Sequence, residues 1–300
     1  MKLALLPLLL VTTGCGYLDA PGSPRVEAHR GGRGLWPENS RTAVAGTIAR
    51  GFPGLEFDLV LTRDAVPVLS HDAWLDPHLC TRTGESAPLG EGARVAIEAL
   101  SLAQLQADYR CGGLRNPDYP EAQVVAEPVL SLDELLALVR AAPDLSLHLD
   151  IKAPEHGQHG AAAYADAVLS RLEAAGLPNP WYVSSSDPEM IRAFESRGEV
   201  RTQLSWPRYP EEGSGAGTSI RTELLGTLGL VDLVAAVREA GADGASTPYR
   251  LVERHVLEAA RAEGLEVSVY TPDDPAALEA MCRLPVAQVI SDYPDRAPCL

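Results

Sequence analysis

The chain has 300 residues, 46% of them hydrophobic, and a formal net charge of −16. That is ample apolar material for one large core, and α/β barrels commonly occupy about 250 residues as a single unit. The negative balance excludes nucleic acid and anionic lipid surfaces as general partners, which it would repel, but not a phosphate substrate held by local cations.

Residues 1–14 read as an export signal. Met1–Lys2 supplies the positive end, Leu3 to Val11 the apolar run, and Thr12–Thr13–Gly14–Cys15 a small-residue cleavage site. The pattern resembles a bacterial lipoprotein signal, with Cys15 as the lipid-bearing first residue of the mature chain. Thr12 departs from the usual Leu, so an ordinary signal cut elsewhere is the alternative. The run falls short of the roughly 20 residues that span a bilayer. Gly16 carries no inner-membrane retention cue, which favours an extracytoplasmic, outer-membrane location. Residues 15–24 form a tether.

From residue 25 onward, short apolar strands alternate with amphipathic helices. Strands are expected at Val26–His29, Leu55–Val60, Leu145–Ile151, Trp181–Ser184, Val200–Leu204, Gly244–Ser246, Val267–Tyr270 and Ala287–Ile290. Helices are expected at Thr42–Arg50, Leu132–Ala141, Ala161–Ala175, Pro188–Ser196, Val231–Ala240, Val252–Glu263 and Pro275–Arg283. Ser131-Leu-Asp-Glu, Asp187–Pro188 and Asp273–Asp274 serve as helix starts. Eight interleaved strands predict a (β/α)8 TIM barrel spanning 25–300. A doubly wound open sheet would want fewer strands and a Gly-rich nucleotide loop. The stretch from about 75 to 128 breaks the rhythm and reads as a small insertion after the second strand region, folded over one barrel mouth.

Beyond Cys15 remain Cys80, Cys111, Cys282 and Cys299. An even count in an exported chain favours disulfides, and the pairing closest in sequence is Cys80–Cys111 with Cys282–Cys299. No Cys-x-x-Cys pair points to zinc.

Side chains two apart on a strand share a face. Glu56 therefore lies beside Asp58, and His148 beside Asp150 and Lys152. If the strands converge, Glu56, Asp58 and Asp150 repel one another unless a cation joins them, and hard oxygen ligands select Ca²⁺ or Mg²⁺. Salt bridging to barrel arginines is the plainer alternative. His29 and His71 suit the proton transfers of phosphodiester cleavage. Arg30 and Lys152 suit charge developing on phosphate oxygens, or else pair with neighbouring acids. Lys152 stands out because Lys2 is the only other lysine. Glu155-His156-x-x-His159 has metal-ligand spacing, but its glycines argue for a loop.

His29-Arg-Gly, Pro37-Glu-Asn, Glu56-x-Asp, Thr62-Arg-Asp, Val68-Leu-Ser-His71-Asp72, Leu149-Asp-Ile-Lys152, Val269-Tyr-Thr and Ile290-Ser-Asp-Tyr-Pro, in this order, resemble the glycerophosphodiester phosphodiesterase family. The resemblance implies a TIM barrel, one divalent cation, and hydrolysis of a small glycerophosphodiester to glycerol 3-phosphate and an alcohol. It assigns Glu56, Asp58 and Asp150 as metal ligands and His29 and His71 as the acid/base pair. Arg30, Asn39 and Lys152 become phosphate contacts, with Glu38 supporting the first loop. It also implies attack by the substrate's own hydroxyl through a cyclic phosphate. Asp150 replaces the usual Glu, Tyr270 a common Trp, and Asp273 a frequent Asn. Tyr270 belongs to the expected substrate wall; Trp206 is either wall or core packing. Lipid-headgroup cleavage of the phospholipase D/sphingomyelinase D type and non-catalytic phosphodiester binding are the competing functions. The oligomeric state is left open.

Overall fold

The computed structural model describes residues 23–90, 92–152, 157–206 and 233–300. Eight parallel strands close on themselves. They are β1 (Arg25–Ala28), β2 (Gly54–Leu61), β6 (Ser146–Ile151), β7 (Trp181–Ser185), β8 (Thr202–Ser205), β9 (Gly244–Pro248), β10 (Glu266–Tyr270) and β11 (Gln288–Ser291), in that order around the barrel. Pairing of β1 with both β11 and β2 closes the circle. All eight expected strands are present, each shifted by no more than a turn residue or two.

The pleat explains why charged residues lie inside. On β2, Leu55, Phe57, Leu59 and Leu61 join the core between sheet and helices, as Leu147, Leu149 and Ile151 do on β6. The alternate positions, including Glu56, Asp58, His148 and Asp150, must then face the barrel interior. A second core cluster, around Val237, Leu257, Val269, Leu278 and Val289, closes the other half of the ring.

The helices are α1 (Arg41–Arg50), α2 (Leu102–Asp108), α3 (Leu132–Val139), α4 (Ala161–Ala175), α5 (Pro188–Glu195), α6 (Leu233–Ala240), α7 (Arg254–Ala262) and α8 (Pro275–Cys282). Ser131 and Glu134 form a capping box at α3. Asp187 and Asp274 cap α5 and α8 ahead of a proline, whose missing N–H costs nothing there. Asp273 is not a helix start; its carboxylate accepts from Ser291 Oγ and the Asp292 N–H. The expected signal peptide, Cys15, Glu155, His156 and the first two residues of the expected fifth helix, Val231 and Asp232, lie outside the described residues. Among the described residues, no helix is long and apolar enough to cross a membrane.

A short strand β3 (Pro67–Leu69) runs antiparallel to β2 and launches the insertion. Within the insertion, β4 (Cys80–Arg82) pairs antiparallel with β5 (Tyr109–Cys111). Cys80 is directly opposite Cys111 and the two are disulfide-bonded; Cys282–Cys299 is the second disulfide. Leu75, Ile97, Leu105, Tyr109 and Val129 give the insertion its own small core against Val60 and Val68.

Candidate active site

The register of β2 with β6 sets Asp58 opposite Asp150 and Glu56 opposite His148. Residues 92 positions apart thereby reach the same mouth, where the strands end. One oxygen from each of Glu56, Asp58 and Asp150 lies within 4.8 Å of the others, the only group with metal-ligand geometry among the described residues. Glu56 and Asp58 are 2% and 1% exposed. Burial, then Asp58 and Asp150, push the Glu56 carboxyl well above its ordinary range. Burial pushes Asp58 up too, but Arg30 and Lys152 outweigh it and hold that carboxyl far below the usual range. Burial and Lys152 act on Asp150 in the same opposed way, with a net fall. Asp58 Oδ1 is buried without a hydrogen-bond partner. A divalent cation fits this site: it would satisfy that oxygen and offset the repulsion among the three carboxylates that adds to burial in raising the Glu56 pKa.

Around the carboxylates the chain's own cations gather. Lys152 Nζ lies 2.6 Å from Asp150 Oδ2 and 3.5 Å from Asp58 Oδ1. Arg30 donates its backbone N–H to Glu56 Oε2 at 2.6 Å and its guanidinium to Glu38 Oε1 at 3.0 Å. Arg30 holds φ 51°, in the left-handed region that costs a side-chain-bearing residue energy. Gly31 follows at φ 80°, and a Cβ there would come within 2.6 Å of Ala43 Cβ. The His-Arg-Gly turn is thus shaped to aim one N–H at Glu56.

Asn39 does not reach the cleft. Its Nδ2 donates to Asp58 Oδ2 at 2.8 Å and its Oδ1 accepts the Asp58 N–H at 3.2 Å, so both ends of the amide are committed to orienting that carboxylate. Glu38 meets Arg30 and Arg33; burial opposes its ionisation, but the two charges lower its pKa. Ser184 Oγ donates to Asp150 Oδ1 at 2.8 Å and lies 2.7 Å from His148 Nε2. His148 continues through Nδ1 to Glu27 Oε2 at 3.0 Å.

His29 does not end β1 but opens a 3-10 turn immediately after it. Its Nδ1 lies 2.6 Å from Asp292 Oδ1, and its Nε2 faces Glu56 at 3.9 Å. Burial pulls the His29 pKa down to about 4, against the opposite pull of Asp292. Burial raises Asp292, but His29 and Arg33 hold it far below the carboxylate range. An ionised Asp292 makes Nδ1 the protonated nitrogen and leaves the Nε2 lone pair toward the cleft. Arg33 Nε donates to Asp292 Oδ1 at 2.8 Å and Tyr119 Oη to Oδ2 at 2.6 Å, with Arg33 stacked 5.0 Å over the Tyr119 ring. His71 sits two residues beyond β3, its Nδ1 3.2 Å from Asp72 Oδ1.

His29, Arg30, Glu56, His71, Asp150, Lys152 and Tyr270 line a cleft of about 660 Å³. Trp206 is not in that wall; it packs against the second core cluster. His159 Nε2 lies 2.9 Å from the Thr62 carbonyl, a backbone anchor. The motifs alone assign no role to Asp292, Arg33, Tyr119 or Ser184. Asp292 stands inside the Ile290-Ser-Asp-Tyr-Pro motif, which is a usable signal, but Tyr119 lies in an aperiodic loop that offers none.

Residues 29–296 match the model of the Glycerophosphoryl diester phosphodiesterase family. An uncharacterized protein of Mycobacterium tuberculosis is 27% identical over 202 residues, 63% of this chain and 62% of that protein. The chain thus spans under two thirds of that relative's length. A second protein from the same organism, assigned as glycerophosphodiester phosphodiesterase 1, is 25% identical over 280 residues, 92% of this chain and 91% of that one. Among solved structures, one from Silicibacter pomeroyi assigned to glycerophosphoryl diester phosphodiesterase superposes with a TM-score of 0.78 and 25% identity, covering 93% of this chain and 92% of that one. An Oleispira antarctica phosphodiesterase, in complex with the product sn-glycerol-3-phosphate, gives a TM-score of 0.68 at 19% identity, covering 92% and 95%. With a closed eight-stranded barrel and this match along nearly its whole length, the chain belongs to the glycerophosphoryl diester phosphodiesterase family.

Proposed function

We propose that this protein hydrolyses small glycerophosphodiesters to glycerol 3-phosphate and an alcohol. The observation that carries the reading is the convergence of Glu56, Asp58 and Asp150 beside two histidines and two cations in one cleft. Ca²⁺ or Mg²⁺ held by the three carboxylates supplies Lewis-acid stabilisation of the phosphate charge when bound.

The residues themselves account for the proton transfers. With Nδ1 committed to Asp292, His29 Nε2 takes the proton of the substrate hydroxyl adjacent to the phosphoester as that oxygen bonds to phosphorus. Proximity favours this attack over attack by free water. His71, which also lines the cleft, gives its proton to the departing alcohol oxygen as the P–O bond breaks. In the second half His71 takes a proton from water, whose oxygen opens the cyclic phosphate, and His29 returns its proton to the released hydroxyl. Lys152 and the Arg30 side chain steady the phosphate oxygens from the rim of the carboxylate nest. Tyr270 forms part of the substrate wall.

An extracytoplasmic protein tethered through Cys15 completes the reading, supported by the N-terminal pattern and by two disulfides, which persist in oxidising compartments. The test is a panel of glycerophosphocholine, glycerophosphoethanolamine, lysophosphatidylcholine and sphingomyelin with Ca²⁺ or Mg²⁺, reading release of choline or ethanolamine from all four and of glycerol 3-phosphate from the first two. Turnover of the lipids alone would replace this substrate class with lipid headgroups.

A further inference from the structure

A second cavity lies between the first loop and the insertion. His71, Ser70, Leu79 and Asn116 line both it and the catalytic cleft, so the two adjoin. Its volume is about 90 Å³. At about 15 Å³ per group, that is room for about six water-sized groups.

The wall chemistry narrows the occupant. Leu69, Leu75, Leu114, Pro128 and Val129 supply apolar surface. The charged groups in the wall are already engaged. Glu127 accepts from the Thr42 N–H and Oγ1, Asp76 from the N–H groups of His78 and Leu79, and Glu38 pairs with Arg30 and Arg33. A charged or strongly polar ligand group would lose its hydration here and meet engaged partners. A compact apolar group would lose nothing but water. The Cys80–Cys111 disulfide forms part of the same wall and ties together two strands of the insertion.

From this geometry we infer that the cavity receives the apolar portion of the leaving alcohol, making the enzyme selective for glycerophosphodiesters whose alcohol carries a compact chain of about four to six carbons. The inference rests on the proposed function, in which His71 protonates the departing oxygen. A group attached to that oxygen lies on the His71 side of the phosphate, and the cavity opens behind His71. The insertion would then set specificity while the barrel performs the chemistry, with no further catalytic group required.

The test is kcat/KM of the full chain, with Ca²⁺ or Mg²⁺, on glycerophosphoethanol, glycerophosphobutanol and glycerophosphohexanol. Each buried methylene is expected to raise kcat/KM about three- to fourfold, with the gain levelling off beyond about six carbons. Leu114→Trp, which fills the cavity, should flatten the series. Ala122→Leu fills it from another wall and serves if the tryptophan variant does not fold. Equal kcat/KM across the wild-type series overturns the inference and leaves the phosphodiesterase reading standing. A gradient that survives both filling substitutions also overturns it, because the chain would then be buried elsewhere. No turnover of any member overturns the hydrolase reading, and this inference falls with it.

Discussion

Asp292 Oδ1 lies 2.6 Å from His29 Nδ1 although 263 positions separate the two residues. The contact exists because β11, which ends just before Asp292, pairs with β1, which ends just before His29. It selects one tautomer of the imidazole and aims the other nitrogen into the cleft. Tyr119 from the insertion and Arg33 from the first loop hold the same carboxylate, so three separate segments fix the orientation of one ring.

Replacing Asp292 by Asn should therefore cost activity without emptying the cleft. An amide can donate to Nδ1 and stabilise the wrong tautomer, so kcat should fall by about 10²-fold or more, within the range of acid/base contributions. KM should change much less. Steady-state kinetics on glycerophosphocholine, with circular dichroism to confirm folding, provide the check; a kcat near wild type would remove Asp292 from the proton-transfer apparatus.

His71→Ala should show a leaving-group dependence that His29→Ala does not. An alkoxide needs a proton to depart, whereas a nitrophenolate leaves without one. His71→Ala should lose about 10²-fold or more on glycerophosphocholine and recover most of that loss on a nitrophenyl glycerophosphodiester. If both variants respond alike to the phenolic substrate, the division of roles between the two histidines is wrong.

Exhaustive chelation should abolish turnover, and Ca²⁺ or Mg²⁺ should restore it. Binding to the native state alone also raises stability by linkage, so Tm should climb with cation concentration. Asp58→Asn removes one of the three charges and should weaken that climb. A Tm indifferent to both cations would leave the carboxylate cluster as a structural feature only.

Asp273 offers a pH test with a definite sign. Burial, then Asp292, push its carboxyl up to about 7. In the unfolded chain an Asp ionises near 4, so between about 4 and 7 the native state binds more protons than the unfolded one. The stability contributed by this group is lost as pH rises through that window. Asp273→Asn keeps an acceptor for Ser291 and the Asp292 N–H and removes the ionisation. The Tm difference, variant minus wild type, should be more positive at about pH 8, above that window, than at about pH 5, near its lower end. Thermal melts at the two pH values decide it, and an equal difference would show that Asp273 titrates normally.

Much of the barrel was legible because its rule is local. On β2 and β6, alternate residues are large and apolar and all the intervening ones but Val60 are glycine, polar or charged, and that period of two assigns Glu56 and Asp58 to one face from the order of the residues alone. Cap residues such as Ser131 and Asp187 likewise mark helix starts through contacts only a few positions away. The disulfide pairing was legible for a related reason, since each pair closes a short loop. Trp206 was ambiguous because one large apolar residue at a strand end fits a substrate wall and a core equally well.

By itself the amino-acid order marked His29, Glu56, His71, Asp150 and Lys152 of the cleft, and the strand face that Glu56, Asp58 and Asp150 share with their alternate neighbours. It could not decide the register between strands far apart in the chain, because that depends on how the whole ring closes. Only the folded barrel placed Asp150 across from Asp58, and brought Asp292 to His29. It also spent Asn39 on Asp58 instead of on the cleft. Side-chain periodicity is a property of one strand; convergence is a property of eight.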